Sequence, residues 1–446
     1  MDQVLSSSLP RAAVAPGRWL LPVLCLALLT AQIDTSVVNL ALHPIGVALS
    51  APVAALQWVL DAYNLTYAVL LLTGGMLADR FGRRRVFRAG AAVMALASVA
   101  CGLAPGVGLL ITARVAAGVG AALLVPASLA IIRVSWTDAA ARGRALGIWA
   151  SCNGLAFVIG PGLGGWLIAR FGWRSVFLVI VPVAVTAWLL AATAITETRD
   201  RDGRRPDLSG QALGAMTLGG LVFAAIGGPG AWLALVGGVA AFVLFLRVEH
   251  RAGAAALVPL DLFAAPAFRG AMVATAAMTF GIYGMIFLVP LVWLADGVLS
   301  PGAAGLALLP CAVIFFAVSP ASGGMAQRFG VRRMITAGTG MIGAGLVVLA
   351  LTTAGRPLWL AELGLGLTGL GMGLNTGPLM SVAVDAVRAA RAGTASSLIN
   401  VARMAGAALG VAVLGATFRA GGLSVAMALG AVVECVGAAL AWRALR

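Results

Sequence analysis

Apolar residues run along this chain in blocks interrupted by short clusters of Arg, Gly, Pro and acidic side chains. A helix needs roughly 20 apolar residues to cross a hydrocarbon layer about 30 Å thick. The pattern predicts such helices over 18–39, 56–78, 87–104, 107–132, 144–168, 173–195, 208–227, 230–247, 269–294, 301–321, 332–353, 357–380, 394–417 and 421–443, fourteen in all. Only Gly227-Gly228-Pro229-Gly230 separates 208–227 from 230–247. Were that pair one buried unit, the count would fall to twelve.

A polar run, ETRDRDGRRPD at 197–207, divides the chain. The organisation it predicts is a cytoplasmic tail (1–17), a six-helix bundle (18–195) and a cytoplasmic linker (196–207). An extra helix pair (208–247), a cytoplasmic loop (248–268) and a second six-helix bundle (269–443) follow. The linker reads as a solvated charge run. The loop has the character of an interfacial amphipathic segment. No small-x-small cleavage site follows the first apolar run, so the N-terminus is expected to be retained.

Composition supports a bilayer as the solvent. Of 446 residues, 61% are hydrophobic and 10% charged, against about 25% charged in soluble domains. That much apolar surface excludes an ordinary soluble enzyme, a disordered chain and a disulfide scaffold. The net charge of +15 comes from thirty basic residues, every one Arg. Without Lys there is no P-loop and no Schiff-base chemistry. With the N-terminus in the cytoplasm, about 24 Arg fall on inner loops and four (Arg170, Arg174, Arg356, Arg419) on outer ones. Such asymmetry places both termini inside and makes anionic lipid, not nucleic acid, the partner of the basic charge. Cys25, Cys101, Cys152, Cys311 and Cys435 all lie in apolar stretches and read as small packing residues. The two histidines, His43 and His250, are far apart and suggest neither a metal cluster nor a triad.

Internal repeats add a topology. GGMLADRFGRRRVF (74–87) matches GGMAQRFGVRRMI (323–335) with one gap, on the same face. GMLADRFGRRRVF (75–87) also aligns without gaps to GWLIARFGWRSVF (165–177), on the opposite face. Parallel halves that each contain inverted triplets are the arrangement of a rocking secondary transporter.

The run Gly75-Met-Leu-Ala-Asp79-Arg80-Phe-Gly82-Arg83-Arg84 resembles the signature loop of the major facilitator superfamily. Further stretches resemble its fourteen-span drug:proton antiporter branch. They are Asp34-Thr-Ser-Val-Val-Asn39, Gln57-Trp58-Val-Leu-Asp61-Ala-Tyr63, Arg114-Val-Ala-Ala-Gly118-Val-Gly120, Gly154 with Gly160-Pro161-Gly-Leu-Gly164-Gly165, and Ser396 through Gly406. The resemblance covers nearly the whole chain. It implies an all-α integral membrane protein with the major facilitator fold, fourteen spans and two bundles that alternate access. It also implies that Asp34, Asp61, Arg114, Asn39 and Tyr63 serve proton coupling or substrate binding. The loop of Gly75, Asp79, Arg80, Gly82, Arg83 and Arg84 would latch the halves in one conformation.

The residues themselves point the same way. Asp34, Asp61 and Arg114 lie about 8–10 Å below the predicted outer helix ends, where ionisable groups are costly and face a cavity or one another. Desolvation favours the neutral acid and a nearby guanidinium favours the carboxylate. An Asp balanced between them can load and release a proton, while Arg114 stays charged. The competing reading is a purely structural ion pair. Gly75 and Gly82 allow a tight turn, and Asp79 suits the positive N-terminus of a neighbouring helix. Gly160-Pro161 interrupts the fifth helix, while Gly154, Gly164 and Gly165 thin its face, which suits a pivot; generic small-residue packing competes. Arg403 and Glu434 lie buried in neighbouring spans and suit one another as an ion pair. Asp296 and Glu362 read as solvated, and Met278, Tyr283, Phe287, Trp293 and Met372 as packing residues with some lining a cavity.

The resulting expectation is proton-driven efflux of lipophilic or cationic compounds by a monomer in a bacterial cytoplasmic membrane, with neither metal nor organic cofactor. A dedicated exporter of one metabolite or self-made antibiotic is the alternative. A non-transporting receptor or scaffold ranks below both.

Overall fold

The computed structural model describes residues 17–199, 207–228, 230–253, 258, 260–352, 357–387 and 392–445. The expected tail, apart from Gly17, and residues 200–206 of the linker lie outside these residues.

Three copies of Arg-Phe-Gly end three helices in the same way. α2 (Val53–Phe81), α5 (Ala139–Phe171) and α13 (Ser322–Phe329) each stop at the Phe. The following Gly82, Gly172 and Gly330 have φ of 110°, 78° and 87°, a region that a side chain disfavours. Their N–H groups bond back to Ala78, Ile168 and Ala326 at 3.2, 3.0 and 2.9 Å. A new helix starts within a few residues in each case: α3 (Arg83–Gly102), α6 (Ser175–Leu178) and α14 (Val331–Ala350). The inverted copies also match in what their arginines hold. Arg84 donates to the carbonyl of Ile195 at 3.5 Å, just beyond α7 (Ile180–Ala194). Arg174 donates to that of Ala104 at 3.1 Å, just beyond α3. Each therefore serves the C-terminal end of the other triplet's third helix.

α1 (Leu20–Leu49) and α4 (Val107–Ser135) join α2, α3, α5, α6 and α7 in the N-terminal bundle. α8 (Leu208–Ile226) and α9 (Ala231–Ala252) form a hairpin. Its turn uses positive φ at Gly227, Gly228 and Gly230. The hairpin closes tightly because Gly220 meets Gly238 backbone to backbone. Gln211 of α8 docks on α2, donating to the Val69 carbonyl at 2.6 Å and accepting from Thr73. The C-terminal bundle comprises α10 (Pro266–Ala295), α11 (Pro301–Ala307), α12 (Leu309–Val318), α13, α14, α15 (Leu358–Asp385) and α16 (Ala392–Ala444). No strand occurs among the described residues.

Several boundaries differ from the sequence reading. α1 continues ten residues beyond 39, through His43 and Pro44, to Leu49; the polar His ends the apolar pattern but not the helix. The stretch 173–195 is divided at Val179, and 301–321 becomes three short helical pieces that continue into α13. Residues 394–417 and 421–443 run on as α16, interrupted by non-helical Gly422 (φ 77°, ψ −176°). Among the described residues twelve stretches are long and apolar enough to cross a membrane. α16 counts once among them, and α15, diluted by glycines, Glu362 and Asn375, is not included. The length-and-apolarity count is therefore twelve, not the expected fourteen.

The end carrying Gly82, Gly330 and most of the arginines is the basic end; the other is the distal end. Between the bundles, α5 packs on α11 and α12, and α2 packs on α16.

Candidate functional site

Arg114 of α4 reaches across the N-terminal bundle to Asp34 of α1. Its Nη1 lies 2.5 Å from Asp34 Oδ2, and both side chains are 1% exposed. Its Nε donates to the Val59 carbonyl of α2 at 2.9 Å. The guanidinium stacks on Tyr63, 4.4 Å from the ring centre, and Tyr63 in turn donates its hydroxyl to the Ala31 carbonyl at 3.0 Å. Glycine makes this approach possible: a Cβ at Gly118 would collide with the Tyr63 carbonyl and Thr66. The second Asp34 oxygen has no protein partner. Asp34 sits about 22 Å from the distal end of α1 at 1.5 Å per residue, deeper than the sequence implies because α1 is longer.

Asp61 does not join this pair. Neither of its oxygens has a protein partner, and it is 0% exposed. Gln57, Asp61 and Leu65 stand one turn apart on one face of α2. Gln57 bonds to α16 and Leu65 packs on Ala408 and Ala412 of α16, so Asp61 faces the interface between the bundles. The structure thus separates the predicted trio into an ion pair inside the N-terminal bundle and a lone acid at the bundle interface.

A narrow cavity lies between the bundles beside the pair. Thr35, Ser36 and Asn39 of α1, Pro161 of α5, and Tyr283 and Cys311 of the C-terminal bundle line it. Asn39 donates to the Thr35 carbonyl at 2.8 Å. Asp34 is one helix position from Thr35, so one layer of α1 divides the ion pair from the cavity. Of the five aromatic and Met candidates in the second half, Tyr283 lines this cavity, while Met278, Phe287 and Trp293 are buried.

The predicted pivot residues contact two partners. Gly160 and Gly164 press on Ser36 and Val37 of α1, while Gly154 and Gly165 press on Phe316 and Pro301 of the other bundle. Gly305 reciprocates by admitting the Pro161 carbonyl. α5 is therefore thinned on both the face that meets α1 and the face that meets α11 and α12.

The signature loop is wired differently from the expectation. Asp79 pairs with Arg83 one turn on, at 2.6 Å. Arg83 also bonds the Thr198 hydroxyl at 3.2 Å. Arg80 lies over the Phe81 ring. The acid at the start of α3 is Glu197, which accepts from the N–H groups of Arg84 (3.1 Å) and Arg85 (3.2 Å). A Cβ at Gly82 would strike that carboxylate, whereas Gly75 only touches Pro126. These contacts join α2 and α3 to the segment after α7, so among the described residues the loop ties the N-terminal bundle to itself rather than to its neighbour. The sequence missed Glu197 because it opens a run that reads as solvated charge. Its position, directly after an apolar span and facing a helix start, was the available signal. Glu197→Ala is expected to cost about 1–2 kcal/mol, the worth of an acidic helix cap. Thermal melting of the purified protein checks this, and an unchanged midpoint contradicts it.

Arg403 and Glu434 do not pair. Arg403 lies beside Tyr67 and Tyr283. Glu434 is enclosed where Gly281 and Gly343 leave room for it, with no partner for either oxygen. Placement in neighbouring spans does not fix direction around the helix. No group of three or more His, Cys, Asp or Glu suited to a metal occurs among the described residues.

The chain is 36% identical over 399 residues to the multidrug resistance protein Stp of Mycobacterium tuberculosis, covering 87% of this chain and 73% of that one. It is 33% identical over 452 residues to the methylenomycin A resistance protein of Bacillus subtilis, covering 98% and 96%. In fold it matches the crystal structure of a peptide transporter, POT, with a TM-score of 0.73 and 17% identity over 98% of each chain. The family model described as Major Facilitator Superfamily matches residues 24–411. With the repeated Arg-Phe-Gly helix ends and the two helical bundles, this match establishes that the chain is a multi-pass membrane protein belonging to the major facilitator superfamily.

Proposed function

We propose that this transporter expels lipophilic or cationic small molecules across the bacterial plasma membrane in exchange for protons, by alternating access of the two bundles. The observation that carries the reading is a buried, unpartnered acid, Asp61, facing the bundle interface, together with a buried Asp–Arg pair one helix layer from the central cavity. Buried ionisable groups in a membrane protein are costly and are retained for transport of charge. The relatives named as multidrug and antibiotic resistance proteins support efflux as the direction. Asp34 and Asp61 are the proton carriers, Arg114 the fixed charge, and Tyr63 and Asn39 the groups that hold the pair and face the substrate. α5 is the pivot, and the signature loop braces the basic end of the N-terminal bundle through each cycle. The proton gradient supplies the energy, with no cofactor, and the working unit is a monomer.

Fourteen crossings support this reading better than twelve. Gly422 divides α16 into two lengths each able to span, and α15 at 28 residues is long enough. An even number leaves both termini on the side of the basic end, which the arginine excess places in the cytoplasm next to anionic lipid. A narrower reading, one antibiotic or metabolite exported, is favoured by relatives named for resistance to single antibiotics. A dye and antibiotic panel in inside-out vesicles decides between the two. Proton-dependent uptake of several unrelated cations supports the broad reading, one compound alone supports the narrow one, and none contradicts both.

A further inference from the structure

Gln57 of α2 hydrogen-bonds across the interface between the two six-helix bundles. Its Nε2 donates to the carbonyls of Val411 (2.9 Å) and Ala412 (3.0 Å) of α16, and its Oε1 accepts from Arg419. The amide is fully buried. It fits because position 415 is glycine: a Cβ there would overlap it. Arg419 donates a second bond to the carbonyl of Ile226, the last residue of α8. A helix leaves its final carbonyls unsatisfied and carries partial negative charge at that end, so Arg419 caps α8 while holding Gln57. One cation therefore joins α2, α16 and the helix hairpin at the distal end.

The chemistry of the cluster suits a contact that is broken and remade. Arg419 is held by neutral oxygens, which bind a guanidinium less strongly than a carboxylate does. The Gln57 contacts close the distal side directly over Asp61, one turn further along the same face of α2. On the distal side of the closed contact lies an open vestibule of about 540 Å³ between the bundles, lined by His43, Leu56, Phe418 and Asp296 among others.

We propose that Gln57 and Arg419 are positioning residues that lock the distal gate, and that Arg419 makes the end of α8 part of that gate. Opening the lock would admit water from the vestibule to Asp61. The hairpin is then a working element of the transport cycle rather than an inert insert between the bundles. This inference rests on the alternating-access reading, but its test needs neither substrate nor proton gradient.

Native Cys311, 2% exposed on the wall of the central cavity, reports opening. Right-side-out vesicles are treated with a membrane-impermeant maleimide, and labelling is quantified by peptide mass spectrometry. Gln57→Ala and Arg419→Ala are each expected to label Cys311 about tenfold faster than wild type, the shift that loss of one hydrogen bond to a charged group produces. Cys101, buried in the N-terminal bundle, should stay unlabelled. Hydrogen exchange in 221–228 should rise in Arg419→Ala and not in Gln57→Ala. Unchanged Cys311 labelling in both variants overturns the lock, and unchanged exchange in Arg419→Ala overturns the part played by α8. If Gln57→Ala also exposes Cys101, it has loosened the bundle, and Arg419→Ala, whose side chain is exposed, decides alone. Faster labelling without any proton-driven flux would remove the efflux reading and keep the lock. Normal flux with unchanged labelling would do the reverse.

Discussion

Arg114→Met is expected to destabilise the protein by about 3–5 kcal/mol, because it strands a buried carboxylate. Asp34 would lose its only partner, and its other oxygen already has none. The Val59 carbonyl would lose its donor and Tyr63 the cation on its ring. Asp34→Asn alone should also cost stability, since it leaves the guanidinium without a counter-charge, although the amide oxygen can still accept from Arg114. The double variant Asp34→Asn/Arg114→Met is the informative one. Replacing a whole buried pair by neutral groups is often harmless or stabilising, so it should melt near the wild-type temperature. If the pair serves only the fold, transport returns with stability. If Asp34 carries a proton, the double variant is stable and unable to couple. Melting curves and flux on the same four proteins separate the two readings.

Asp61→Asn is expected to leave stability unchanged or raised, because Asp61 has no partner to abandon and the amide avoids burying an acid without one. Substrate counterflow, which exchanges one labelled molecule for another and moves no net protons, should persist. Net transport driven by a pH gradient should fall by about a hundredfold or more, the scale of losing a group that works only in the coupled step. A variant that loses counterflow and driven transport equally would show Asp61 to be a substrate or packing residue instead.

Much of the fold was legible in the sequence because the forces that set it are local or one-dimensional. The requirement for long apolar runs marked the helices, and the repeated Arg-Phe-Gly marked three equivalent loops, which in the structure are equivalent helix ends. Those ends have a physical cause, a positive-φ glycine, that survives divergence elsewhere in the repeat. Asp34 and Arg114 were linked through their depth and opposite charge, and they do meet. The failures are those of direction and partner choice. Asp61 was placed by depth and Arg403 by its span, but rotation about a helix axis decides what they face, and position along the chain carries no azimuth. Glu197 was read as solvated because its role depends on α3 returning beside the end of α7. Gln57 was noticed as part of a motif and Arg419 only as an outer-loop charge. Their connection spans 362 positions, and nothing in local composition encodes it. The length-and-apolarity count came out lower for a different reason: glycines, Glu362 and Asn375 dilute α15, and α16 counts once because its two lengths run on through Gly422.

In this conformation Asp34, Arg114 and Asp61 are all closed off from water. Any exchange of protons at these groups would therefore accompany movement of the bundles. The decisive measurement uses proteoliposomes holding a pH-sensitive dye, with a cationic substrate present at equal concentration on both sides. When a pH gradient is imposed, substrate should accumulate on the acidic side while that gradient decays faster than in protein-free vesicles, and Asp61→Asn should abolish both changes. Substrate that stays at equilibrium on both sides, or that accumulates with no extra proton movement through the protein, would rule out exchange of protons for substrate.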